Sequence, residues 1–277
     1  IGTKEMARNH PKRRNTQAPA GADGSPRPRQ DRPRERSGGG DGEGWLWGTH
    51  AVTAALANPS RTLHKLLATE NAAARLGAAR ITPEIILGKD LDNRLPAGAV
   101  HQGLALKAAP LNPASLEDLI DRGISHICVL DQVSDPHNLG AIYRSAAAFG
   151  FQGLLLQTRH APPVTGVVAK SAAGAVETVA EARVVNIARA LEQLAEAGYH
   201  TVGLAGEGRR SLADAVAGTA KLAIVMGAEG SGLRPAVAKA CAELARIPIA
   251  PEMESLNVSN AAAIAFYEAS RDRFPAA

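Results

Sequence analysis

Three stretches of this 277-residue chain hold side chains whose types and spacing could do chemistry. The first, DPHNLGAIYRSAAAFG at 135–150, places an acid, a His, an Asn, an Arg and a Ser on a turn that runs into a helix. Asp135-Pro136 makes the turn, and Asn138 is a good N-cap for the helix after it. Leu139, Ile142, Tyr143, Ala146 and Ala147 give the helix its buried stripe. Gly140 weakens a helix, so its place in the first turn implies the close approach of another group. Arg144, four residues on, is its neighbour on the helical surface. On pattern alone, a capped core helix with a solvated Arg144 accounts for this stretch slightly better than a site does.

The second stretch, LAIVMGAEGSGL at 222–233, runs a buried strand into Gly227, Gly230 and Gly232. The order GxxGxG is neither the dinucleotide fingerprint nor a Walker A loop, which ends in Gly-Lys-Ser/Thr. Glu229 inside it would repel a phosphate, which favours a cationic or neutral ligand over a nucleoside triphosphate; a plain tight turn is the alternative. The third, RIPIAPEMESLNVSNAAAIAFYE at 246–268, leads from a strand end near Ala250 to Ser255, Asn257 and Ser259 ahead of the last helix. All three are cap-type residues, and capping accounts for only one of them.

The elements that must position these residues read as an α/β fold. From 124 onward, short apolar runs (HICVLD, GLLLQ, TVGLAG, LAIVMG, ARIPIA) alternate with helical stretches. That alternation predicts a parallel sheet with helices on both faces. Ligands of such sheets bind beyond the carboxyl ends of the strands, here the loops after Asp131, Ala205, Met226 and Ile249. Before it, residues 45–107 read as a small α/β unit with a helix over Ala51–Leu56 and strands in TLHKLLAT, PEIIL and HQGLALKAA. Residues 108–123 read as a linker with one short helix, and 124–277 as the larger domain. Residues 1–44 are rich in Pro, Gly and Arg and poor in large apolar side chains, so they are expected to be disordered. The chain opens on Ile1 rather than Met, which implies that a few residues precede it.

Composition narrows the classes. Cys128 and Cys241 lie far apart and form no CxxC pair, which argues against a zinc site or a disulfide framework and fits a reducing cytosol. No apolar run reaches the length of a membrane span, and the basic N-terminus lacks the apolar segment of a secretory signal. The net charge of +4 is unevenly spread: +4 on residues 1–44, +3 on 45–107 and −3 on 108–277. If the partner is nucleic acid, the N-terminal half gathers it, through the tail and through Arg61, Lys65, Arg75 and Arg80. His50 and His101 read as structural, and Trp45 and Trp47 as sealing the core of the small domain.

With these features in place, LDQVSDPHNLGAIYRSAAAFG, IVMGAEGSGL and IPIAPEMESLNVSNAAAIAFYE together resemble the three motifs of the SpoU class of RNA 2′-O-ribose methyltransferases. They stand in the family's order and spacing and cover about residues 126–268. WGTHAVTAAL through HQGLAL is similar to the L30e-like substrate-binding domain carried by the members that act on 23S rRNA guanosine. The resemblance implies a C-terminal trefoil knot, a homodimer and S-adenosylmethionine as cofactor; no metal is expected, given the cysteine spacing. It places the cofactor on Gly227, Gly232, Ile247 and Leu256, with Leu204 and Gly206 of the GLAGEG loop at its border. Around the reacting ribose it places Asn138, Arg144, Glu229, Ser255 and Asn257.

Arg144 matches the residue often cast as the base. A free guanidinium keeps its proton to above pH ~12, so a clamp on the RNA phosphate is the preferred role, with His137 as the alternative base. Asn138 would orient Arg144 or the ribose, and Glu229 would pair with Arg144 or the substrate. Ser255 and Asn257 would hold the loop or contact the substrate. The implied function is methyl transfer to a 23S rRNA guanosine in the cytoplasm. The alternatives are the same chemistry on tRNA, or a non-catalytic RNA-binding or ribosome-assembly protein.

Overall fold

The structure, a computed structural model, describes residues 44–274. The disordered tail expected over 1–44 lies outside the described residues except for Gly44. The small sheet is built from β1 (Trp45–Trp47), α1 (Thr49–Ala57), β2 (Leu63–Ala68), α2 (Glu70–Leu76), β3 (Glu84–Ile85), α3 (Gly88–Asp92) and β4 (Leu104–Ala108). Its strand order is β1-β4-β2-β3, with β4 antiparallel to both β1 and β2. Helix α4 (Leu116–Asp121) follows in the connecting segment, started by a capping box between Ser115 and Asp118.

The larger sheet alternates strands and helices. Its elements run β5 (His126–Leu130), α5 (Pro136–Ala148), β6 (Gly153–Gln157), α6 (Gly166–Ser171), a 3₁₀ turn (Ala175–Glu177), β7 (Ala180–Val184), α7 (Ile187–Glu196), β8 (His200–Leu204), β9 (Arg210–Ser211), α8 (Leu212–Val216), β10 (Leu222–Met226), α9 (Pro235–Ala240), β11 (Glu243–Arg246) and α10 (Val258–Ser270). Its seven strands lie in the order β7-β6-β5-β10-β8-β11-β9, and every pairing is parallel.

Alternate residues of each strand feed opposite faces, as the two-residue period of a strand requires. Ile127, Val129, Leu155, Ala223 and Val225 pack under α4, α7 and α9. Cys128, Leu130, Leu154, Leu156, Ile224 and Met226 pack under α5, α6, α8 and α10. The helices are amphipathic to match: α7 buries Ile187, Ala190, Leu191 and Leu194 at helical spacing. The larger sheet therefore has helices on both faces. No described helix is long and apolar enough to cross a membrane.

The structure corrects several sequence expectations. The N-cap of α5 is Asp135, whose carboxylate accepts from the Asn138 backbone N–H at 2.8 Å, with Pro136 opening the helix. Pro suits that place because its missing N–H is not needed there. Asn138 thus sits inside the first turn, and its side chain is left free for other contacts. The strand expected to reach Ile249 or Ala250 ends at Arg246, and 247–257 is loop. Gly140 does meet a close neighbour, but that neighbour is α6 rather than the site. A Cβ on Gly140 would lie 2.4 Å from Ser171 Cβ and 2.8 Å from the Val168 carbonyl oxygen.

Two of the four basic residues expected to gather RNA are structural. Arg61 is buried; its guanidinium pairs with Glu177 at 2.8 Å and donates to the Ala109 carbonyl at 3.0 Å. A buried pair is retained because removing one partner costs about 3–5 kcal/mol. Arg80 donates to the Leu56 carbonyl at 2.7 Å, satisfying an orphan acceptor at the end of α1. Lys65 forms an exposed pair with Glu84, and Arg75 is exposed. Trp47 is in the core with Leu67, Leu91, Leu95 and Ala105, with Trp45 packed beside it. It also lies against α6, where a Cβ on Gly166 would come within 2.0 Å of its ring. His101 is held between Asp92 and the Gly103 backbone N–H.

Buried His126 makes stability depend on pH. It opens β5 with its ring edge-on to Phe151 at 5.3 Å. Burial pushes its imidazole down from 6.5 to about 4, and Arg273 adds to the effect. Between those values the unfolded chain takes up a proton that the folded chain refuses. Stability is therefore full above about pH 6.5 and falls as the pH drops toward about 4. Thermal melting at pH 7 and pH 5 will show a loss at pH 5 that is smaller in His126→Gln; equal losses in the two proteins count against this assignment.

Candidate active site

The site lies at the carboxyl ends of β5, β8, β10 and β11, where the parallel sheet leaves its loops. A cavity of about 410 Å³ is walled by three of them: 204–207 after β8, 226–233 after β10 and 247–258 before and into α10. Leu204, Gly206, Gly227, Gly232, Ile247 and Leu256 all line it, together with Glu229 and Ser255. The lining is apolar side chains and backbone plus the hydroxyls of Ser231 and Ser255 and the carboxylates of Glu207, Glu229 and Glu254, with no Lys, Arg or His. Such a wall suits a neutral or cationic ligand of drug-like size and disfavours a polyphosphate.

Glycine makes the central loop possible. A Cβ on Gly227 would sit 2.1 Å from the Gly232 carbonyl carbon and 2.4 Å from the Leu233 nitrogen. Gly230 and Gly232 take φ of 81° and 65°, conformations that a side chain disfavours. The loop folds back on itself, the Gly232 N–H donating to the Ala228 carbonyl at 3.0 Å. That fold turns Glu229 toward the other two motifs.

At the mouth, three residues from the three motifs meet. Asn257 caps α10: its Oδ1 accepts from the backbone N–H groups of Ser259 and Asn260 and from the Ser259 hydroxyl. With Oδ1 so occupied, Nδ2 must face the other way. It donates to Glu229 Oε1 at 2.6 Å and to Asn138 Oδ1 at 3.1 Å. Asn138 Nδ2 closes the ring by donating to Glu229 Oε1 at 3.0 Å. Both amides are thereby oriented, while Glu229 Oε2 has no hydrogen-bond partner among the described residues.

Arg144 stands apart from this ring. It is exposed two turns further along α5 and makes no hydrogen bond or ion pair among the described residues. Glu229 pairs with Asn138 and Asn257 rather than with Arg144. His137 is also on the first turn of α5 and is exposed. Sequence reasoning missed Asp131 and Arg234, which tie the central loop to β5 by an ion pair with a fully buried carboxylate. The signal was present as an acid ending an apolar strand, but its partner is 103 residues away. Among the described residues no group of His, Cys, Asp and Glu is placed to hold a metal ion.

The chain is similar to known RNA methyltransferases. The model of the SpoU rRNA Methylase family matches residues 125–267. A second model, for RNA 2′-O ribose methyltransferase substrate binding, matches residues 45–114. A 23S rRNA (guanosine-2′-O-)-methyltransferase, RlmB of Vibrio cholerae, is 38% identical over 82% of this chain and 96% of its own length. A Mycobacterium tuberculosis protein described as an uncharacterized tRNA/rRNA methyltransferase is 39% identical over 78% of this chain and 69% of its own. Among solved structures, the SpoU methyltransferase AviRb of Streptomyces viridochromogenes is 23% identical. It aligns with a TM-score of 0.69 over 83% of this chain and 89% of its own, a likeness of fold.

Proposed function

The chain belongs to the SpoU rRNA methylase family, and from that premise we propose that it methylates the ribose 2′-OH of a guanosine in 23S rRNA, using S-adenosylmethionine. The observation that carries this reading is the ring of Asn138, Glu229 and Asn257 at the mouth of a cavity free of basic side chains. The cavity fits the cofactor: its apolar wall suits an adenosyl group, and its carboxylates suit an ammonium and a sulfonium. Gly227, Gly232, Leu204, Gly206, Ile247 and Leu256 would hold it. When bound, it supplies an electrophilic methyl group on sulfur.

The chain's own residues align the acceptor. Glu229 Oε2, free on the rim, accepts a hydrogen bond from the ribose 2′-OH and takes up its proton as the 2′-oxygen gains the methyl group. The Asn pair holds Glu229 still, so that carboxylate need not be ordered during the reaction. Ser255 adds a hydroxyl at the cavity wall. Arg144 clamps the phosphate beside the target ribose, a task that suits a guanidinium that is permanently charged and unpaired among the described residues.

Guanosine of 23S rRNA is favoured over tRNA by the match of residues 45–114 to a substrate-binding model, and by the Vibrio cholerae relative matched over nearly its full length. Residues 1–44, at net +4, and the basic small unit 45–107 add electrostatic gathering of RNA. Residues 108–123 lead into the domain 124–277, with α4 packed in the core of that domain's sheet. The C-terminal trefoil knot is part of this reading. After β11, the third strand along from β5, the chain returns past β8 and β10, sets Asn257 against Asn138 and packs α10 on α5. A homodimer is supported by Ile264 and Tyr267, which α10 leaves exposed. The site of action is the cytoplasm.

Calorimetry with S-adenosylmethionine, followed by 2′-O-methyl mapping of 23S rRNA and tRNA transcripts, tests the reading. Cofactor binding and a single methylated 23S guanosine are expected. Methylation of tRNA alone would mean that the substrate is wrongly assigned, and absence of cofactor binding would leave a non-catalytic RNA-binding protein.

A further inference from the structure

Asp131 is the last residue of the HICVLD run, fully buried at the carboxyl end of β5. A buried carboxylate is costly unless it is paired and hydrogen-bonded. Its partners are specific. Oδ1 accepts from Arg234 Nε at 2.8 Å and lies 2.6 Å from Arg234 Nη2. Oδ2 accepts from the Arg234 backbone N–H at 3.1 Å. The Asp131 backbone N–H donates to the Met226 carbonyl at 2.8 Å.

Met226 and Arg234 are the residues on either side of the 227–233 loop. One residue at the end of β5 thus grips both ends of the glycine-rich loop that walls the cavity and carries Glu229. Inside that loop the Gly232–Ala228 hydrogen bond and the packing of Gly227 on Gly232 fix the turn itself. Where that turn stands relative to β5 and the first motif is set at its two ends. Directly after Asp131 the chain turns through Gln132 at φ 63°, a strained conformation for a side-chain-bearing residue, before reaching Asn138. The same residue therefore sets where two of the three motifs begin.

We propose that Asp131, through Arg234, is a positioning residue for methyl transfer: it staples the two ends of the glycine-rich loop, fixing the cofactor wall and the reach of Glu229 toward Asn138 and Asn257. The inference rests on the reading of the cavity as the S-adenosylmethionine site. Asp131→Asn keeps the size and the backbone donor but turns an amide N–H toward Arg234, so at least one of the side-chain bonds is lost. Arg234→Lys keeps the charge and the backbone N–H but loses the planar fork.

The test measures S-adenosylmethionine Kd, RNA Kd, single-turnover rate and melting temperature for the wild-type protein and both variants. Asp131→Asn is expected to weaken cofactor binding about tenfold and to slow transfer about a hundredfold, as misplacing a group near the reacting atoms does. RNA Kd should be unchanged. Arg234→Lys should fall between. A folded Asp131→Asn with wild-type cofactor affinity and rate overturns the proposal, as does an equal loss of RNA affinity, which would report general damage. Should Asp131→Asn not fold, Arg234→Lys decides, its side chain being 38% exposed and tolerant of change; wild-type values there overturn the proposal. Failure of the wild-type protein itself to bind the cofactor would instead strike the functional reading.

Discussion

Arg144→Ala will slow methyl transfer by about 10²–10³-fold while leaving cofactor binding near wild type. The side chain is exposed, lies outside the cavity wall and makes no hydrogen bond or ion pair among the described residues. Its removal therefore costs the fold little, within about 0.5 kcal/mol, and leaves the cofactor loops untouched. What it removes is the cation proposed to clamp the RNA phosphate. A charged donor aimed at a phosphate beside the reacting ribose holds the acceptor in line, and losing one such donor slows transfer by about 10²–10³-fold. Arg144→Lys will restore little, because an ammonium cannot make the paired contact of the guanidinium fork. Single-turnover assays with calorimetry in parallel check both halves of the expectation. A loss of cofactor affinity in Arg144→Ala would show that the residue has been assigned to the wrong partner.

Gly227→Ala should fail in the opposite way, losing the cofactor first. Its added Cβ would lie 2.1 Å from the Gly232 carbonyl carbon and 2.2 Å from its oxygen. These are backbone atoms and cannot rotate aside as a side-chain tip can. The loop must open, and with it the cavity wall and the bonds from Glu229 to Asn138 and Asn257. Cofactor affinity is expected to drop at least about a hundredfold, equivalent to about 2.8 kcal/mol. Gly230→Ala is the control at a position where a Cβ meets nothing within 4 Å, leaving only the strain of φ 81°. Calorimetry of the two variants separates steric closure from loss of glycine flexibility; equal and small effects would argue that the loop is loose rather than packed.

Periodicity in the sequence found β5, β6, β8 and β10 because strands buried on both faces must be apolar throughout. It missed β7, whose Glu181 and Arg183 alternate with Ala182, because an edge strand need bury only part of its surface. It overran β11 into IPIA, since apolar residues that line a cavity look the same in sequence as residues that fill a core. The six expected cofactor residues all reached the cavity wall. That result followed from the resemblance of the motifs, together with glycines that a close-packed loop demands.

The sequence by itself determined the alternating α/β plan, the loops that carry the chemistry, and the family to which those loops point. All of these are local: apolar period, turn residues and motif order are written along the chain. Tertiary structure alone decided how the side chains are used. Asp135, not Asn138, caps α5, which frees the Asn138 amide for Glu229 and Asn257. Gly140 serves α6 rather than the site, and Arg61 serves Glu177 rather than RNA. Asp131 grips a loop bounded by Met226 and Arg234, far along the chain. Each of these assignments depends on which polar group or backbone lies within about 3 Å, and the sheet order that brings such groups together leaves no mark on the local sequence.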